Sequence, residues 1–460
     1  MHVHILGVAG TFMGGVAALA KAAGFRVTGS DRNVYPPMST QLEALGIEII
    51  QGYDAAQLGL RPDVVVVGNA LSRGVPVVEA LLDGDIPYIS GPQWLSENVL
   101  AGKHVLAVAG THGKTTTSSM LAWILADAGL APGYLIGGVA ANFDATASLG
   151  GLVGGAPGLF VIEADEYDTA FFDKRAKFVH YRPRTLVLNN LEYDHADIYP
   201  DLAAIQRQFN QLLRTVPPSG RILVNGDDAN LAATLAAGCW TPRETFSLSS
   251  DADWSAEVAV DSASRRFVVR HQGRVVGAVN WPLLGTHNVL NALAAIGAAA
   301  QVGVPPERAV LALNRFLGVK RRMELRGIVA GVTVYDDFAH HPTAIETTLR
   351  GLRAQVGPAR IIAVLESRSN TMRLGVHRDQ LAAALALADV CWFYCPDNLG
   401  WDLPAAVAAL ADRARFADTV DGVVAGLAGE LRAGDHVLVM SNGGFGGLHE
   451  KLLNALRNRS

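Results

Sequence analysis

The residues with the clearest capacity for chemistry lie between His104 and Thr117. The stretch reads His-Val-Leu-Ala-Val-Ala-Gly-Thr-His-Gly-Lys-Thr-Thr-Thr. Val105 to Ala109 is an apolar run of strand length, followed by a glycine-bounded turn and a helical pattern from Ser118 to Ala128. This is the layout of a phosphate-binding loop. Backbone N–H groups of Gly110, Thr111, His112, Gly113 and Thr116 would face a polyphosphate. Lys114 would reach its β and γ oxygens, and the Thr115 hydroxyl would hold Mg²⁺. The generic pattern places a glycine five residues before Gly113, where this chain has Val108, so the loop is a shortened variant. A plain glycine-rich turn that happens to contain a lysine does not account for strand, loop, Lys-Thr pair and helix together.

Further polar clusters follow other apolar runs. Glu163-Ala-Asp165-Glu166-Tyr-Asp168 comes after the run Leu159–Ile162, and carboxylates at a strand's end beside a phosphate loop suit Mg²⁺. A solvated acidic turn is the blander alternative. Asp194-His195-Ala-Asp197, past Thr185–Leu188, offers His195 as a second metal ligand. Asn288 and Asn291 are spaced to share a helix face and carry amides able to read an adenine edge, with capping as the alternative for Thr286 and His287. Asp336-Asp337-Phe-Ala-His340-His341-Pro342 follows Val332–Tyr335. Adjacent histidines on a strand would point apart, which favours phosphate or ribose contacts over a metal site. Arg321 and Arg322 could reach across a cleft to a transferring phosphate. Glu366 to Arg373, with Arg368, Asn370 and Arg373, suits a carboxylate-bearing substrate, although a surface loop needs no such explanation.

Elements that position these groups can be read around them. His2–Leu6 reads as a strand, Val16–Ala23 as a helix and Arg26–Thr28 as a strand ending at Gly29-Ser30-Asp31. The intervening glycines do not have the spacing of dinucleotide enzymes, so a diphosphate near Gly10 and Thr11 fits better than NAD. Asp63–Val67 ends at a natural ligand edge carrying Asn69 and Ser72, which serve equally well as turn formers. Strands at Val105–Ala109, Leu159–Ile162, Thr185–Leu188 and Arg221–Val224, with helices between, predict a parallel sheet in a second domain opening near Lys103. A third domain opens near Lys320, with strands at Val332–Tyr335, Arg360–Leu365, Val390–Tyr394 and His436–Met440, and helices at Leu381–Ala388 and Ala405–Ala411. Three α/β domains agree with 460 residues at roughly 150 per domain.

The net charge of -5 argues against a nucleic-acid binder that works by neutralising phosphates. Cys239, Cys391 and Cys395 are too few and badly spaced for a disulfide framework or a four-ligand zinc site. Residues 275 to 306 lack charged side chains apart from His287, but Asn280, Asn288, Asn291 and Gln301 interrupt them, so no membrane span is expected. The N-terminus lacks a secretory signal pattern, and the chain reads as soluble and cytoplasmic.

In combination and order, Gly110 to Thr116, Glu163 to Asp168, Asp194-His195, His287-Asn288 with Asn291, and Asp336-Asp337 with His340-His341-Pro342 resemble the Mur ligase family over essentially the whole chain. The resemblance implies a Rossmann-like UDP-sugar domain (1–102), a central P-loop ATPase domain (103–319) and a Rossmann-like C-terminal domain that brings the incoming amine (320–460). It implies ATP and Mg²⁺ as cofactors, Thr115 and Glu166 on one Mg²⁺ and His195 on the other, Asn288 at adenine and Asp337 at ribose. A carboxylate would attack the γ-phosphate, and an amine would attack the acyl phosphate. Within the family, Gly7–Gly15, Ser30–Thr40, Arg368–Gly375 and Met440–Gly447 resemble the branch joining UDP-N-acetylmuramate to the recycled murein tripeptide L-alanyl-γ-D-glutamyl-meso-diaminopimelate. UDP-N-acetylmuramate–L-alanine ligase is the nearest alternative. Several family members use a carbamylated lysine for the second Mg²⁺, yet no lysine occurs here between Lys177 and Lys320. That departure points away from the later diaminopimelate- or lysine-adding members.

Overall fold

His104–Ala109 is interior to a sheet, and from Val105 to Ala109 every residue is buried. Full burial of each valine or leucine is worth roughly 1.5–3 kcal/mol, so this strand anchors its surroundings. The computed structural model describes residues 1–34, 38–151, 158–260, 263–397 and 399–459. Tyr35-Pro36-Pro37, part of the Ser30–Thr40 resemblance, lie outside the described residues.

Among the described residues, three large sheets, each with parallel strands at its heart, run along the chain, with a two-stranded antiparallel hairpin beside the central one. In the first, all strands are parallel, in the order Glu48–Gln51, Arg26–Asp31, His2–Leu6, Val64–Val67 and Tyr88–Ser90. Leu6 is level with Ser30 and with Val67, which brings Gly7, Asp31 and Gly68 to one carboxyl edge. The helix after the first strand runs over Thr11–Ala22, five residues earlier than its apolar pattern suggests. Gly14 and Gly15 are therefore helical, and a Cβ on Gly15 would fall 2.2 Å from Leu135 Cδ1 of the central domain. The glycine is there for close packing.

The central sheet has ten strands. The expected four lie side by side and parallel: Arg221–Asn225, Thr185–Leu188, His104–Ala109 and Leu159–Ala164. That is the parallel core expected from the sequence, and the sheet extends beyond it with antiparallel strands. Trp254–Val258, Arg266–His271 and Arg274–Asn280 form an antiparallel meander at one end, and Gly133–Leu135 pairs antiparallel with Ala147–Ser148 at the other. Antiparallel strands can leave one face in solvent, so they carry charge and escape a search for apolar runs. Ala109 is level with both Leu188 and Ala164. Three strands thus end together, and the next residues, Gly110, Asn189 and Asp165, meet there.

The third sheet has the order Glu324–Val329, Val332–Asp337, His436–Met440, Ile361–Glu366, Val390–Tyr394 and Ala414–Ala417, with Glu324–Val329 as an antiparallel edge. Asp336 and Asp337 close their strand instead of following it. The helices expected at Leu381–Ala388 and Ala405–Ala411 occupy Arg378–Ala384 and Leu403–Ala406, the latter followed by a 3₁₀ turn at Ala408–Arg413. Alanine-rich sequence states helical propensity but not where a helix stops. Among the described residues, no helix is long and apolar enough to cross a membrane.

Candidate active site

The phosphate loop owes its shape to two glycines. Gly110 has φ +144° and Gly113 φ +79°, the region that disfavours side chains. A Cβ on Gly113 would sit 2.5 Å from Asn291 Oδ1. Gly113 caps a helix over Lys114–Asp127, which starts four residues before the expected Ser118 and so places Lys114, Thr115 and Thr116 in its first turn. The first N–H groups of such a turn lack intrahelical partners, which suits an anion. The N–H of His112 differs from the expectation, because it donates to Asn190 Oδ1 at 2.7 Å and helps to hold the loop. Thr111 is bound both ways to the Glu192 backbone, at 2.8 and 3.2 Å. Beneath the loop, Asn189 donates to Thr117 Oγ1 at 2.9 Å, and Thr117 donates to Asn291 Oδ1 at 3.1 Å. Asn291 also donates to Asn288 Oδ1 at 3.2 Å. Asn291 is buried and serves the loop's support, whereas Asn288 is partly exposed.

Around Lys114 gathers an acidic group. Its Nζ lies 2.7 Å from Gly110 O, 2.7 Å from Glu166 Oε2 and 3.9 Å from Asp165 Oδ1. Burial alone would drive off its proton, but Glu166 and Asp165 outweigh that and push the pKa up to about 12. Thr115 donates to Glu163 Oε1 at 3.0 Å and Gly137 N–H to Glu163 Oε2 at 2.7 Å. Burial still raises the Glu163 pKa. His195, at φ +55°, places Nε2 3.0 Å from Glu166 Oε1 and its ring 4.1 Å from that of Tyr167. Its N–H donates to Asp194 Oδ1 at 2.7 Å, and Tyr199 OH donates to Glu166 O at 2.5 Å. Candidate ligand atoms of Asp165, Glu166 and His195 all lie within 4.8 Å of one another. With the Thr115 hydroxyl alongside, this oxygen-rich donor set fits a hard divalent cation.

The C-terminal domain closes over this group. Thr371 donates to Asp194 Oδ1 at 2.7 Å, Asn370 to Asp197 Oδ2 at 2.8 Å and Thr343 to Glu192 Oε1 at 3.0 Å. Glu192 also holds His112 Nε2 at 2.8 Å, and His341 Nδ1 lies 3.5 Å away. Burial opposes ionisation of Glu192, but these partners prevail and bring its pKa down to about 2. His341 is the N-cap of the helix Pro342–Val356, and His340 Nδ1 faces Phe338 O at 2.9 Å, so neither lies on a strand. Both arginines lie over the Phe338 ring, Arg321 at 5.2 Å and Arg322 at 4.8 Å, but Arg321 is also spent on Ser441 O and Gly443 O at 2.7 and 2.6 Å. Asp337 receives the N–H groups of Met323 and Ala339, each at 2.8 Å. Arg368 and Arg373 are exposed.

In the first domain, Gly10 caps the helix Thr11–Ala22 and Asp31 accepts from Ala9 N–H at 3.0 Å. The Ser30 hydroxyl is buried without a hydrogen-bond partner among the described residues, and Asn69 is partly exposed at the same edge. Sequence reasoning did not single out Asn189, Tyr199, Thr371 or Lys177. Asn189 was legible in principle as a polar residue at a strand's end. The other three act across long sequence separations that leave no local signal.

Three family models match the chain: Mur ligase family, catalytic domain, over residues 2–103; Mur ligase middle domain over 108–299; and Mur ligase, glutamate ligase domain, over 321–443. The chain is 54% identical to the UDP-N-acetylmuramate–L-alanyl-γ-D-glutamyl-meso-2,6-diaminoheptandioate ligase of Escherichia coli (strain K12), covering 100% of this chain and 99% of that one. It is 36% identical to a UDP-N-acetylmuramate–L-alanine ligase of Kineococcus radiotolerans, covering 99% and 96%. Among solved structures, a murein peptide ligase from Psychrobacter arcticus 273-4 aligns with a TM-score of 0.77 at 48% identity, covering 100% and 99%.

Proposed function

The chain belongs to the Mur ligase family, and from that premise we propose that it is an ATP-dependent amide ligase. It joins UDP-N-acetylmuramate to the tripeptide L-alanyl-γ-D-glutamyl-meso-diaminopimelate, in peptidoglycan recycling. The observation that carries the reading is the end-to-end likeness to the tripeptide-adding relatives, well above that to the alanine-adding ones. The geometry agrees, because a phosphate loop, an acidic cation-binding group and a basic loop from another domain converge on one place.

The roles follow domain by domain. Residues 1–102 take the UDP sugar at Gly10, Thr11, Ser30, Asp31 and Asn69. Residues 103–319 take ATP, with Lys114 on the β and γ oxygens and Asn288 toward adenine; Asn291 steadies the loop. Asp337 and His340, from residues 320–460, approach the ribose and phosphates, and Arg322 the transferring phosphoryl group. Arg368, Asn370 and Arg373 meet the peptide carboxylates. Thr115, Glu166 and His195 would hold Mg²⁺, which supplies charge neutralisation between a carboxylate and a triphosphate when bound. Lys114 adds a fixed positive charge at the same point, and closure of the third domain excludes water from the activated carboxyl group. ATP and a UDP sugar as substrates place the reaction in the cytoplasm.

The test is phosphate release from ATP with UDP-N-acetylmuramate and either tripeptide or L-alanine, with the product mass determined. Tripeptide-dependent release with a UDP-muramyl-tripeptide mass is expected. Release dependent on L-alanine would replace the reading with the biosynthetic first step, and silence with both would overturn it.

A further inference from the structure

Lys177 is a lysine almost wholly withdrawn from solvent, 6% exposed, and no role above uses it. It follows the hairpin of Asp168–Ala170 with Asp173–Ala176 and begins the 3₁₀ turn Lys177–His180. Its backbone is pinned on both sides: Ala176 N–H donates to Gln208 Oε1 at 3.0 Å and Lys177 N–H to Tyr167 O at 2.9 Å. The Nζ lies 3.3 Å from Asp165 Oδ2, 5.5 Å from the Tyr167 ring and 5.3 Å from the ring of Phe12. Among the described residues Asp165 is its one oxygen partner, which leaves two of the three ammonium donors without an oxygen.

Asp165 therefore stands between two ammonium groups. On one side Lys114 belongs to the phosphate loop; on the other Lys177 faces the first domain. Phe12 is the second residue of the first-domain helix, next to Gly10 and Thr11, where the sugar nucleotide enters on the reading above. On that reading a carboxylate carried from that turn toward the loop meets Lys177, a buried cation not committed to phosphate. Lys114 is met at 2.7 Å by Glu166 and only at 3.9 Å by Asp165, so Asp165 leans on Lys177, whose two remaining donors are open to a second carboxylate.

We propose that Lys177 binds the lactyl carboxylate of UDP-N-acetylmuramate and sets it in line with the phosphate held by Lys114. The proposal rests on the ligase reading. Lys177 binds the ionised carboxylate, and its partner changes when one carboxylate oxygen bonds to the γ-phosphorus, the bond to ADP breaks, and ADP leaves with the electron pair. Its contribution therefore falls on binding the sugar nucleotide more than on turnover.

The full-length protein, Lys177→Met and Lys177→Arg are compared by calorimetric titration with UDP-N-acetylmuramate and with UDP-N-acetylglucosamine, which lacks the lactyl group. In Lys177→Met, affinity for UDP-N-acetylmuramate is expected to fall by about 10-fold or more, as loss of a charge-assisted contact implies. UDP-N-acetylglucosamine affinity should stay constant, and Lys177→Arg should restore part of the loss. The KM for UDP-N-acetylmuramate should rise while those for ATP and tripeptide hold. Equal losses for both sugar nucleotides, or an unchanged preference between them, would overturn the assignment and leave a structural ion pair. If the Met variant does not fold, Lys177→Gln carries the same comparison. A wild-type chain that ligates the tripeptide while the variant keeps its preference refutes Lys177 alone; a wild type that binds neither sugar nucleotide refutes the ligase reading as well.

Discussion

The hydrogen bond from Thr371 to Asp194 joins the peptide-side loop to the turn that carries His195, and its removal is predicted to weaken closure more than any exposed contact between the same domains. Both side chains are buried, with Asp194 5% and Thr371 2% exposed. Among the described residues Asp194 Oδ1 accepts from Thr371 Oγ1 and His195 N–H, each at 2.7 Å. Thr371→Val keeps the shape and deletes the donor. A hydrogen bond to a buried charged group is worth about 1.5–3 kcal/mol, and 1.36 kcal/mol is a factor of ten. The closed population, and with it kcat/KM for the tripeptide, should fall about 10- to 100-fold. UDP-N-acetylmuramate affinity should stay within about twofold, because the first domain is not involved. Asp197→Ala removes the exposed bond to Asn370 from the side that meets no substrate and should cost about threefold or less. Steady-state kinetics with each substrate varied, and calorimetric binding of the sugar nucleotide, give both quantities. A Thr371→Val enzyme with kcat/KM within twofold of wild type, or one no worse than Asp197→Ala, would refute the reasoning that this bond sustains the closed state.

Three further outcomes are expected. Lys114→Ala should abolish ATP-dependent ligation while sugar-nucleotide binding persists, and unchanged phosphate release would remove the loop from the mechanism. Gly113→Ala combines a left-handed backbone, which costs an ordinary residue about 1–2 kcal/mol, with a Cβ driven toward Asn291; both Tm and ATP affinity should drop, and an unaltered melting curve would contradict this. Burial lowers the pKa of His287 and of His340 to about 4, from 6.5 when unfolded. Between these values the unfolded chain binds more protons, so these histidines contribute stability above pH 6.5 that is lost as pH falls toward 4. Melting temperature should decline across that window, and His287→Gln should flatten the decline; an identical slope in the variant would reject the assignment.

The site's centre was legible because its signals are local. Gly110, Gly113, Lys114 and Thr115 are contiguous, and the runs before Gly110, Glu163 and Asn189 are apolar enough to read as interior strands. The start of the helix at Lys114 was not, because threonine-rich sequence gives no helical period until Ser118 and the cap depends on the left-handed Gly113. Gly15 reads as a loop residue because the reason for it, Leu135, lies about 120 residues away. The meander of Trp254–Val258, Arg266–His271 and Arg274–Asn280 mixes apolar residues with polar and charged ones and belongs to no βαβ unit. Thr371 stands inside the Arg368–Gly375 segment, but its partner, like that of Lys177, lies in another segment that the motif does not name.

The seat of Gly15 on Leu135 also has a bearing on how the molecule measures its substrates. On the ligase reading, the Gly10 turn and Lys114 bracket the sugar nucleotide, whose length from diphosphate to reactive carboxylate must match the span between them, and Gly15 against Leu135 is one of the contacts that set it. The incoming peptide arrives instead on a domain held by individual side-chain hydrogen bonds such as Thr371 to Asp194. The expected consequence is greater stringency toward the sugar nucleotide than toward the peptide.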